Sequence, residues 1–210
     1  MESSIKAEGE KMANRYLSDL HLGHDNILKM TDRGKRFCNI DDMNAYIIRE
    51  WNEHVDDSDD VWIVGDFAYR SRLAVGTYLE ALRGHKHLVI GNHDVKWMKN
   101  IRLDKYFESV SHMEVIKEGI KTITICHFPL MEWVQSRYAE YSSEGRSWQV
   151  HGHIHDSRSC DAFRYIQDKL PCALNAGFDI NDYPVTLEEL IRNNAKWYGR
   201  ADSYHNNNRV

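Results

Sequence analysis

In the first ninety residues, three short apolar runs stop at polar clusters and are separated by stretches with helical spacing. Residues 15–18 end at Asp19, residues 61–64 at Gly65-Asp66, and residues 87–90 at Gly91-Asn92. Between the first two runs, Met43, Ile47, Trp51 and Val55 recur at the spacing of one helix face, opened by Asn39 or Asp41. Ahead of them, Asp25 is placed to cap a brief helix that reaches Met30. Leu73, Leu79 and Leu82 suggest another helix, which Gly84 ends. Strand and helix alternating across short connections predict parallel pairing in a layered α/β fold.

The second half reads differently. Residues 114–117 and 121–126 flank Glu118-Gly119, a hairpin signal. Residues 148–151 and 173–176 suggest further strands, and Thr186 caps a last helix over 187–193. With no repeat and no linker, the expectation is one domain over 14–200 whose second half is richer in β-structure. Residues 1–13 are expected to be a disordered leader, with Met12 as a second candidate start, and 201–210 a flexible tail.

A chain of 210 residues with 42% hydrophobic and 28% charged residues is long enough and apolar enough to bury a core. No apolar run approaches the ~18–20 residues that span a bilayer. A net charge of -5 argues against coating nucleic acid by charge alone, but leaves room for a small phosphate ester held by local cations. Cys38, Cys126, Cys160 and Cys172 form no C-x-x-C pair and read as reduced thiols. The start lacks the apolar core of a secretory signal, so the expected compartment is the cytoplasm.

Histidine is over-used: 12 residues against 6 phenylalanines. Five clusters that include it or a carboxylate fall at the ends of expected strands, where layered α/β proteins bind ligands. In Asp19-Leu20-His21, on extended chain, two metal-binding side chains would share a face. Asp66 follows a buried strand and has two oxygens, enough to bridge two cations. Asn92-His93-Asp94 offers an amide oxygen and a His-Asp pair. His127 ends an apolar strand. His151, His153 and His155, if extended, would line one face as three imidazoles that repel unless a cation joins them. Taken singly, the first four also read as ordinary turns or core histidines. Jointly they supply carboxylate, imidazole and amide ligands without thiolate, a set suited to Mn²⁺, Fe or Zn²⁺.

The set D-x-H, G-D, G-N-H-D, H and G-H-x-H resembles the calcineurin-like metallophosphoesterase superfamily. Residues 18–24 with Asn26-Ile27, and more loosely 175–184, are most similar to its small single-domain bacterial and phage members. The resemblance implies a four-layer αββα sandwich, two mixed β-sheets flanked by helices. It implies two divalent ions, manganese first and iron or zinc as alternatives. Asp19, His21 and His155 would hold one ion; Asn92, His127 and His153 the other; Asp66 would bridge them. His93 would face the phosphate and assist the leaving oxygen, and Asp94 would orient it. Two cations ~3.5–4 Å apart neutralise a phosphate, orient it in line and acidify water.

The implied function is hydrolysis of phosphodiester or phosphomonoester bonds in a small or nucleotide-like substrate. A scaffold on the same fold and a nuclease of the same superfamily are the alternatives. The intact His93 and ligand positions weigh against the first. The net charge and the lack of an added capping domain weigh against long-polymer binding. His24 could contact substrate or support a ligand. Arg36, in the run Arg33, Lys35, Arg36, could receive a phosphate tail, although a solvated loop is the commoner meaning of such a run. His151 is read as packed or supporting, His85, His87 and His112 as structural, and Asp179 receives no role.

Overall fold

The structure, a computed structural model, describes residues 12–142 and 145–200. All but residues 12 and 13 of the expected leader, and the whole expected tail at 201–210, lie outside the described residues. The first half forms β1 (Asn14–Leu17), α1 (Ile27–Met30), α2 (Ile40–His54), β2 (Asp60–Ile63), α3 (Val75–Ala81), β3 (His85–Val89), α4 (Asp94–Met98) and β4 (Ser109–Ser111). The second half forms β5 (Met113–Glu118), β6 (Lys121–Cys126), β7 (Ser147–His151), α5 (Asp161–Lys169), β8 (Ala173–Asn175) and α6 (Leu187–Trp197).

The strands make two four-stranded sheets, each in sequence order. In the first, β1 to β4 pair in parallel, and an antiparallel bridge from Tyr16 to Val185 extends its edge. In the second, β5 and β6 form the hairpin and β6, β7 and β8 run parallel. Alternation along the central strands explains the layering, because neighbouring residues on a strand point to opposite faces. Leu17, Val61, Ile63 and Leu88 join Met43, Ile47, Trp51 and Leu79 of the helices in one buried cluster. Their neighbours Tyr16, Trp62, Val64 and Val89 join Ile123, Ile125, Trp148, Val150 and Leu174 of the second sheet in another. A third cluster, Ile154, Phe163, Ile166 and Ala173, covers the far side under α5. Helix, sheet, sheet and helix thus stack in the expected four layers.

Most expected elements form within a residue or two of their sequence positions. Asn39 caps α2 by accepting from the Asp42 amide, and Thr186 with Glu189 makes a reciprocal capping box on α6. Two expectations fail. Asp25 does not cap α1; Asn26 occupies that position without a side-chain bond, and the Asp25 carboxylate pairs with Arg72 instead. Leu73 lies outside α3 and is exposed, because that helix starts at Val75. The short α4 and β4, and α5 with only Phe163 and Ile166 buried, gave no periodic signal.

Candidate metal centre

The loops after β1, β2, β3, β6 and β7 leave the same edge of the two sheets and bring the clusters together. Asp19, His21 and His155 offer ligand atoms within 4.8 Å of one another; so do His21, Asp66 and His93, and so do Asp19, Asp66 and His127. Asp66 Oδ2 stands between them, 3.6 Å from His21 Nε2 and 3.5 Å from His127 Nε2. Asn92 Oδ1 is 3.2 Å from His127 Nε2. His153 sits at the rim: its amide donates to Asp19 Oδ2 at 2.9 Å and its ring centroid lies 5.2 Å from that of His127.

The extended geometry expected for D-x-H and H-G-H-I-H does not occur. Asp19, His21, Asp66, His153 and His155 all have positive φ, between 49° and 71°. For residues with a Cβ this left-handed conformation costs about 1–2 kcal/mol each. Among the described residues, five of the seven outside glycine with this backbone are candidate ligands. Backbone held against its preference at a cluster of polar side chains marks a functional site. The tight turns aim the side chains that extended strands could not. His151, by contrast, ends β7 fully buried, with Nδ1 against the Gly152 carbonyl, and burial pulls its pKa down to about 4. Of the two roles expected for it, packed or supporting, the packed one is seen: its Nε2 has no hydrogen-bond partner.

Ring tautomers follow from neighbours that can only accept. His127 Nδ1 faces the Val64 carbonyl at 2.9 Å and donates to it, which leaves Nε2 as the ring atom aimed at the Asp66 and Asn92 oxygens. His21 Nε2 is buried without a hydrogen-bond partner and also faces Asp66. Burial, then the nearby His155 and Arg33 charges, pushes the His21 pKa far below that of a free imidazole, so the ring is neutral. Burial likewise raises the Asp66 carboxyl, only partly opposed by His127. A divalent cation among these buried nitrogen and oxygen atoms would meet ligands from separate loops. The donor set fits such ions. Gly65, at φ 82°, makes room: a Cβ there would collide with the His127 ring.

A family model described as the calcineurin-like phosphoesterase superfamily domain matches residues 12–177. The chain belongs to the calcineurin-like phosphoesterase superfamily. Among its relatives is an uncharacterized protein of Methanocaldococcus jannaschii, 29% identical over 84% of this chain and 88% of that one. The gene 66 protein of Mycobacterium phage L5 is 26% identical over 67% of this chain and 76% of its own length. A solved structure of a protein of unknown function from Aquifex aeolicus shares the fold, with a TM-score of 0.63 and 24% identity over 85% of this chain and 97% of that one.

In this superfamily member the candidate ligands rest on two carboxylates. Asp179, which the sequence left without a role, accepts from His155 Nδ1 at 2.9 Å and pairs with Arg33 through two bonds, 2.7 and 2.8 Å. Arg33, only 2% exposed, also donates to the carbonyls of Asp19 and Leu20. One guanidinium therefore fixes the Asp19–His21 turn and, through Asp179, the His155 ring. Burial alone would raise the Asp179 carboxyl, but Arg33 and His155 outweigh it and hold it well below the usual carboxylate range. The rest of the run is the solvated segment expected of it: Lys35 is exposed beside Asp32, and Arg36 is exposed, paired with Asp182 and near Tyr46.

Asp94 corrects a second expectation. Its carboxylate accepts from the amides of Asp66, Phe67 and Gly91 and from Trp97 Nε1, each at 2.8–2.9 Å. Those four donors engage both oxygens, and none comes from the His93 ring. Asp94 braces the Asp66 loop rather than orienting His93. The His93 amide instead donates to Asp66 Oδ1, and its Nε2 lies 3.9 Å from Asp66 Oδ2. His24 is buried beside the cluster, its Nδ1 3.3 Å from His21 Nδ1 and its ring edge-on to Tyr69.

Proposed function

We propose that this chain is a phosphoesterase that uses two divalent cations, manganese first, to hydrolyse a phosphodiester or phosphomonoester of a small or nucleotide-like molecule. The observation that carries the reading is the buried convergence of His21 Nε2 and His127 Nε2 on Asp66 Oδ2. Asp19, His21 and His155 would hold one cation, Asn92, His127 and His153 the other, and Asp66 both. Bound there, the cations would neutralise the phosphate and acidify a water.

The chain's own residues do the rest. Asp66 and Asp19 fix the spacing of the two ligand sets. His93, a third exposed at the rim, is placed to pass a proton to the leaving oxygen. The partner is a small phosphate ester rather than a long nucleic acid, which the net charge of -5 disfavours. Cys38, Cys126, Cys160 and Cys172 are all free thiols, which suits a reducing cytoplasm. Among the described residues no helix is long and apolar enough to cross a membrane.

The test is Mn²⁺-dependent cleavage of bis-p-nitrophenyl phosphate, p-nitrophenyl phosphate and short DNA, side by side. Cleavage of none of them sinks the reading. His93→Ala should keep the bound metal, measured by elemental analysis, and lower kcat by roughly 10²–10⁴-fold; an unchanged kcat removes its role.

A further inference from the structure

A cavity of about 310 Å³ opens on the side of His93 away from the ligands. Ala68, Val75, Trp97 and Ile101 give it an apolar wall, and Tyr69 and His93 stand at its edge. The His93 and Tyr69 ring centroids are 4.3 Å apart, while His93 Nε2 lies 3.9 Å from Asp66 Oδ2. His93 thus borders both the ligand cluster and the cavity. Two cations mark the mouth: the Arg70 guanidinium lies 5.2 Å and Lys96 Nζ 5.9 Å from the Tyr69 ring centroid. Both are exposed, and neither forms an ion pair with any described residue. Arg70 is held at φ 48°, a left-handed conformation outside the ligand set.

We propose that this cavity is the leaving-group subsite, and that it takes a planar apolar alcohol of phenol or nucleobase size bearing an anionic substituent. This rests on the phosphoesterase reading. A group bonded to the leaving oxygen lies beside the residue that protonates that oxygen, and this cavity adjoins His93. Aromatic and aliphatic walls accept a flat ring, with Tyr69 as the stacking surface. Arg70 and Lys96 then meet the anion at the rim. In the reaction, a water oxygen bonds to phosphorus and the phosphorus–oxygen bond to this group breaks. The leaving oxygen takes the His93 proton, and His93 regains one released from the attacking water.

The experiment compares phenyl and p-carboxyphenyl esters, each as the phosphate monoester and as the methyl diester, with the full Mn²⁺-loaded chain. The carboxyphenyl esters should be preferred in kcat/KM by roughly tenfold, since two partly solvated charge contacts each contribute a few-fold. Arg70→Ala/Lys96→Ala should abolish that preference, so that the carboxyphenyl and phenyl esters are turned over with the same kcat/KM. Ala74→Trp fills the cavity from an exposed position on its lining and should slow both aryl esters by roughly 10–100-fold at unchanged metal content. Turnover without these changes overturns the subsite and leaves the phosphoesterase reading intact. Calorimetric titration with uncleavable p-carboxyphenylphosphonate reads the cavity independently of turnover. Binding to the wild type that Ala74→Trp removes supports the subsite even if no ester is cleaved; the same affinity in both, or none, overturns it.

Discussion

Behind Asp19, His21 and His155 stands a buried ion pair, Arg33 with Asp179; behind Asp66 stands a lone buried carboxylate, Asp94, held only by N–H donors. Both carboxylates are almost shut off from water, Asp94 completely and Asp179 with its side chain 4% exposed, and they shift in opposite directions. Burial raises Asp94, and its amide and indole donors reduce that rise without cancelling it. Burial acts on Asp179 too, but the Arg33 charge reverses the outcome. A hydrogen bond satisfies a carboxylate; a cation also keeps it ionised. The first half of the centre is therefore braced by charge and the second by backbone geometry.

The most damaging change should be at the residue common to both halves. Asp66→Asn should cost more metal affinity than the roughly 10–100-fold that outer partners command, and in both sites at once. Full occupancy of two ions by elemental analysis would remove the shared role. Arg33→Met should come next, through stability. It strands the Asp179 charge, which costs about 3–5 kcal/mol. For a domain of this length that is roughly 6–20 °C in Tm by calorimetry. A shift of a degree or two would show that the pair is dispensable.

Asp179→Asn keeps the shape and removes the charge. Metal titration should show one site weakened roughly 10–100-fold and the other unchanged; equal loss in both would erase the distinction between the halves. The smallest effect is a pH dependence. Burial lowers His155, but its bond to Asp179 and the Asp19 and Asp179 charges prevail, so it titrates above an ordinary imidazole. In the metal-free protein that proton stabilises the fold fully below about pH 6.5, and the contribution is lost as pH rises through the elevated folded value. A cation needs the same lone pair. Metal uptake should therefore strengthen as pH climbs through that window, with proton release measurable by calorimetry in buffers of different ionisation enthalpy. Affinity that is flat with pH would mean that His155 binds no metal.

The strands, the helix over Ile40–His54 and the clusters at strand ends were legible because periodicity and caps are local. So was the family, since its motifs are short and rich in rare residue types. The ligand turns were misread as extended, because left-handed backbone at Asp19 or His155 is imposed by the surrounding fold against the residue's own preference. Arg33 was hidden in what looked like a basic surface run. Nothing nearby in the sequence says that it is buried or that its partner, Asp179, lies 146 residues away.

The order of residues alone thus determined which groups could bind a cation and where strands and helices begin, since both depend on neighbours a few positions apart. Only the tertiary structure decided that Asp94 braces a loop, that Asp179 aims a ligand, and that His93 borders an apolar cavity. Each of those depends on distances across separate loops, and on a charge's surroundings once water is excluded.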